Sequence, residues 1–160
     1  MILRAALVSV SLLGLLSACG GSGDSANVPE ALPAGATSAD IGGHVVHFSA
    51  QSTDQLPPLV AREYNIVRSK DRAMLNVSVI RKKDNLPVPA TVTVKTVNLT
   101  SQLKNVTMRR IDEAGPTAAI YYIGETPVAN REWLIFDISV QPEGVNLPSK
   151  VRFKRQFYTD

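Results

Sequence analysis

EWLIFDISVQ, residues Glu132 to Gln141, decides the fold. Leu134, Phe136, Ile138 and Val140 recur at every second position, with Asp137 and Ser139 between them. Successive side chains of an extended strand point to opposite faces, so this period makes one apolar face and one polar face. The same signature recurs in both directions along the chain. His44 to Ala50 places Val46, Phe48 and Ala50 together, and Arg72 to Lys82 does so with Leu75, Val77 and Val79. Pro87 to Asn98 turns Val88, Ala90, Val92 and Val94 inward against Thr91, Thr93 and Lys95. Leu103 to Ile111 is a weaker strand, and Thr117 to Glu125 is strongly β-forming. Lys150 to Tyr158 carries Val151, Phe153 and Phe157 on one face, with Arg152, Lys154 and Gln156 opposite.

Turn residues separate these runs: Lys83-Asp84-Asn85, Glu113-Ala114-Gly115-Pro116 and Pro142-Glu143-Gly144. Gln51 to Asn65 breaks the alternation. There Asp54 is placed to cap a short helix, Pro57 and Pro58 to open it, and Leu59, Val60 and Tyr64 to form its apolar face. About seven short strands with one short helix predict an all-β fold, an immunoglobulin-like antiparallel β-sandwich. One wet face per strand is what antiparallel sheets require. The domain is expected over residues 41–160.

The amino terminus follows different rules. Arg4 and the terminal amine precede an apolar run from Ala5 to Leu16, too short for a bilayer span of about 20 residues. Leu16-Ser17-Ala18-Cys19 resembles the bacterial lipobox. That resemblance implies residues 1–18 as a lipoprotein signal peptide, cleavage after Ala18 and diacylglycerol on the Cys19 sulfur. Several chains on one terminus anchor durably where one binds only marginally. Gly20 stands where an Asp would signal inner-membrane retention, so the expected location is the outer membrane, facing the periplasm. Residues 19–40 hold the lipidated cysteine and a Gly-, Ser-, Ala- and Pro-rich tether, with a random-coil reach of about 25 Å.

Charge and cysteine content exclude several classes. Losing Arg4 with the leader takes the basic residues from 17 to 16 against 14 acidic ones, a net charge of +2. Nucleic acid is therefore not an expected partner, since its binding needs a concentrated basic face. Cys19 is the sole cysteine. Once lipidated, it leaves no thiol for disulfides, thiolate catalysis or thiolate metal ligation.

One resemblance spans nearly all of the mature chain. Its pieces are Ala61 to Lys70, Leu75-Asn76-Val77-Ser78-Val79, Ile120-Tyr121-Tyr122-Ile123, Val140 to Gly144, and Arg152-Phe153 to Phe157-Tyr158. Together they resemble the proteobacterial envelope family known as domain of unknown function 4426. The resemblance implies a periplasm-facing domain, sometimes lipid-anchored, and it transfers no catalytic or ligand-binding residue.

No catalytic constellation stands out. There is no Gly-x-Ser-x-Gly elbow. Asp112, Glu113, Glu125 and Asp137 offer carboxylates, with nothing to mark any of them as buried. His44 and His47 lie three apart on a strand and so face opposite ways; neither Met74 nor Met108 has a histidine near it in sequence. No metal or other cofactor is expected. Asn76-Val77-Ser78, Asn98-Leu99-Thr100 and Asn105-Val106-Thr107 match the glycosylation triplet, but they are also ordinary wet-face composition. The densest basic stretch is Arg68-Ser69-Lys70-Asp71-Arg72, with Tyr64 just before it. Guanidinium forks and an ammonium grip carboxylates or phosphates, so Tyr64, Arg68, Lys70 and Arg72 are the candidate partner contacts. The expectation is a non-catalytic binding or assembly module, attached to the membrane through its lipid, with an envelope protein as partner. A periplasmic carrier of a small ligand or metal is the second reading, and an envelope enzyme the third.

Overall fold

A computed structural model describes residues 36–115 and 118–160. Within them the alternating segments become strands β1 (Ser38–Asp40), β2 (His44–Ser52), β3 (Arg72–Arg81), β4 (Leu86–Pro87), β5 (Ala90–Asn98), β6 (Leu103–Lys104), β7 (Arg109–Glu113), β8 (Ala119–Pro127), β9 (Trp133–Pro142) and β10 (Ser149–Gln156). One 3-10 turn (Thr53–Gln55) and one helix, α1 (Pro58–Glu63), join β2 to β3. The first sheet runs β1-β2-β3-β8-β7, with β4 added beside β3, and the second runs β10-β9-β5-β6. All pairings are antiparallel. Leaving aside β1 and β4, the order β2-β3-β8-β7 is the A-B-E-D sheet of an immunoglobulin domain, and β10-β9-β5-β6 extends its G-F-C sheet by one strand.

The period-two pattern puts the expected side chains in the core. Val46 and Phe48 of β2, Leu75, Val77 and Val79 of β3, and Leu134, Phe136, Ile138 and Val140 of β9 are buried between the sheets. Phe153 joins the two layers. Its ring centroid lies 4.6 Å from that of Phe48 across the interface and 4.9 Å from that of Phe136 beside it. Tyr122 of β8 also bridges the layers, its hydroxyl accepting the Ala90 N–H at 2.7 Å.

The structure differs from the sequence expectation in four places. Leu103 to Ile111 is two strands in different sheets, since β6 pairs with β5 and β7 pairs with β8. Asn105 to Met108 makes the crossing and presses on Gly124. A Cβ there would sit 2.6 Å from Val106 Cγ1, 2.7 Å from Met108 Sδ and 3.1 Å from the Thr107 carbonyl oxygen. The predicted strand from Pro87 is likewise divided. The β4 piece stays with β3, and the chain crosses at Val88-Pro89, where proline cannot donate to a ladder. On α1, Val60 and Tyr64 face the sheet as expected, but Leu59 is 76% exposed and Ala61 is the buried residue. Asp54 does not cap that helix; Pro57 occupies the N-cap without a side-chain bond. At the start of the domain, β1 falls within the stretch read as tether, and its Ala39 stands opposite Val46. The signal peptide, Cys19 and the tether as far as residue 35 lie outside the described residues.

Candidate functional site

The connection from Thr53 to Asp71 does not project into solvent. It folds back over the outer face of the first sheet. Thr53 fastens it: fully buried, its hydroxyl contacts the carbonyls of Val67 (2.8 Å) and Ser69 (3.1 Å) and accepts the Ser69 N–H at 2.9 Å. Asn65 takes a left-handed φ of 53°, which turns the chain after α1. The turn returns Ile66 so that its N–H reaches the Ala61 carbonyl at 2.7 Å. Leu56, Ala61 and Ile66 then pack on Met74 of β3 and Ile123 of β8, making a second, smaller core outside the sandwich. Each such buried apolar side chain contributes about 1.5–3 kcal/mol.

This cover is incomplete, and a cleft of about 360 Å³ opens between it and the sheet. Ser49 and Gln51 of β2 line one side, and Ile111 and Glu113 of β7 line another. Met74, Asn76, Tyr121 and Ile123 also line it, from β3 and β8, while Leu56, Val60, Tyr64 and Ile66 come from the cover. Two ties hold the cover to the edge strand. The Tyr64 hydroxyl donates to Glu113 Oε1, and the Arg109 guanidinium donates to the Tyr64 carbonyl. Asn76 Oδ1 is buried and has no hydrogen-bond partner among the described residues. Leaving such an acceptor unpaired costs about 1–3 kcal/mol.

The sequence profile described as domain of unknown function (DUF4426) matches residues 38–160, beginning at the first residue of β1. The chain belongs to the DUF4426 family. It is also similar to the crystal structure of a DUF4426 family protein from Pseudomonas aeruginosa PAO1, with 31% identity and a TM-score of 0.66. That match covers 77% of this chain and 94% of the other. A family 123 glycoside hydrolase from Clostridium perfringens matches at 11% identity and a TM-score of 0.32, covering 70% of this chain and 27% of the hydrolase. No curated protein matches the chain.

Within this DUF4426 domain the four candidate contact residues separate. Tyr64 lines the cleft and holds Glu113. Arg68 donates to the backbone carbonyl of Asp54. Lys70 donates to the carbonyl of Asp160 at 2.9 Å. Arg72 lies 3.6 Å from Glu125. The three cations thus have three different partners. The four carboxylates are also individually paired: Asp112 with Arg110, Glu113 with Tyr64, Glu125 with Arg72, and Asp137 with Arg152. The Arg152 guanidinium titrates above its ordinary value, chiefly through its hydrogen bond to Asp137. Among the described residues, no group of three or more His, Cys, Asp and Glu side chains gathers as a metal site.

Sequence reasoning missed Asn76 as a site residue and saw Glu113 only as a loose carboxylate. One signal was present. Met74, Ile111 and Ile123 put apolar side chains on what should be a wet face, and a covered outer face explains them. Tyr121-Tyr122 divides in the same way, with Tyr122 buried in the sandwich and Tyr121 lining the cleft.

Proposed function

We propose that this DUF4426 protein is a lipid-anchored, non-catalytic binding module of the bacterial cell envelope, and that the cleft beneath α1 takes a small ligand. The observation that carries the reading is the cleft itself, apolar walls from Leu56, Met74 and Ile123 set with a few polar side chains, Asn76 and Glu113 among them. Ligand sites are concave, mostly apolar and supplied with a few placed polar groups, and about 300 Å³ is the lower end of their usual size. A rigid sheet floor with a stapled cover is a preorganised frame of this kind. The anchor rests on Leu16-Ser17-Ala18-Cys19. The small-ligand reading gains over a protein-docking one because Arg68, Lys70 and Arg72 are individually occupied.

The test is purification from bacterial membranes followed by native mass spectrometry. A non-covalent small molecule should accompany the wild type and be absent from Ser49→Trp, which fills the cleft from an exposed position. Cys19→Ser should move the protein from the membrane fraction to the soluble fraction. Retention of the same molecule by Ser49→Trp overturns the cleft as the site, and membrane retention of Cys19→Ser overturns the anchor.

A further inference from the structure

The polar groups of the cleft are unbalanced. Glu113 brings a carboxylate, of which Oε1 accepts from Tyr64 while Oε2 makes no hydrogen bond among the described residues. Ser49, Gln51 and Asn76 bring a hydroxyl and two amides, neutral groups that both donate and accept. Tyr64 and Tyr121 bring ring faces, whose negative quadrupole attracts cations. No lysine, arginine or histidine lines the cleft. Arg109 stands at the rim with its guanidinium turned to the Tyr64 carbonyl. The one charged side chain and the two aromatic rings thus favour positive charge, and no lining side chain offers a cation. Met74, Ile111 and Ile123 supply apolar wall.

We infer that the cleft is selective for a protonated amine carried on an apolar body, with the ammonium at Glu113 and the body against Ile111, Tyr121 and Ile123. An ammonium has three donors and no acceptor, so it suits a carboxylate oxygen that lacks a donor. A carboxylate ligand would meet Glu113 as a like charge. An alcohol of the same shape would donate one neutral hydrogen bond, weaker than a charge-assisted one. The inference rests on the cleft being a binding site, as proposed above.

Three matched probes separate the two claims: phenethylamine, phenethyl alcohol and phenylacetate, titrated calorimetrically into the purified full chain with detergent-only blanks. The expected result is affinity about tenfold tighter for the amine than for the alcohol, with no measurable binding of the acid. Glu113→Gln keeps an acceptor for Tyr64 and should erase the preference of amine over alcohol. Tyr121→Leu, which removes a ring face without touching the Tyr64 tie, should weaken the amine more than the alcohol. If the alcohol or the acid binds as well as the amine, and Ser49→Trp abolishes that binding, the cleft stands and its amine selectivity is overturned. If none of the three binds, both claims fall.

Discussion

The cleft beneath α1 and the cluster around Glu132 both combine partly covered polar groups with an edge of the fold, and they are finished differently. Glu132 leaves nothing over. Its carboxylate accepts the Ala129 N–H at 2.9 Å and the Asn98 amide at 3.0 Å, and it lies 2.9 Å from the Lys104 ammonium. Its carbonyl accepts the Phe157 N–H at 2.9 Å. One side chain therefore ties the turn before β9 to the β5–β6 hairpin, and its backbone holds the carboxy-terminal segment. At the cleft, by contrast, an acceptor is buried and left without a donor. The first arrangement is what a polar cluster looks like when it serves stability alone. The second also leaves a carboxylate oxygen of Glu113 without a donor beside an open cleft, and that difference makes the cleft, rather than the Glu132 cluster, the candidate binding site.

The largest effect should come from breaking the finished cluster. Glu132→Ala strands Lys104, which is only 15% exposed, and removes the acceptor from two further donors. Urea unfolding should show a loss of about 3 kcal/mol at neutral pH. Burial pushes the Glu132 carboxyl up, but the Ala129 N–H, Asn98 and Lys104 outweigh it, so the group titrates below the ordinary glutamate range. A folded pKa below the unfolded one stabilises the protein above the unfolded value, and that contribution disappears as pH falls through the folded one. The gap between wild type and Glu132→Ala should therefore narrow on acidification through and below the ordinary glutamate range.

A smaller loss is expected where the crossing strand meets β8. Gly124→Ala forces Val106 and Met108 away from the sheet, and thermal unfolding should report about 2 kcal/mol of destabilisation. Smaller again is Tyr64→Phe, which releases one tie between cover and β7. It should lose about 1 kcal/mol and speed hydrogen exchange of the Ile66 amide more than that of core amides such as Phe136. Least of all is Arg72→Gln, whose 3.6 Å ion pair with Glu125 has a 44% exposed guanidinium. Its effect should stay within about 0.5 kcal/mol, and a larger one would return the basic stretch to consideration as a built site.

The sandwich was legible in the sequence because its core obeys a period of two. Phe136 and Val77 must face inward once their neighbours are polar. The sheet crossings were not legible, because a strand that changes partners keeps its alternation. Only the close pass at Gly124 marks one of them, and a lone glycine in a strand has several readings. Of the cleft, Tyr64 was legible as a contact and Asn76 was not. A polar residue on an outer face reads as solvated until something covers it, and what covers Asn76 is a connection whose path depends on Thr53 and Asn65. The Glu132 cluster was hidden for a similar reason: its partners lie 28 and 34 residues away in sequence.

The most direct measurement is the melting temperature of Ser49→Trp, taken with and without phenethylamine beside the wild type. A ligand that binds only the folded protein raises its melting temperature, so the amine should shift the wild type upward and leave Ser49→Trp, with its cleft filled, unshifted. An equal shift in Ser49→Trp would mean that the amine binds elsewhere and that the cleft is not the site.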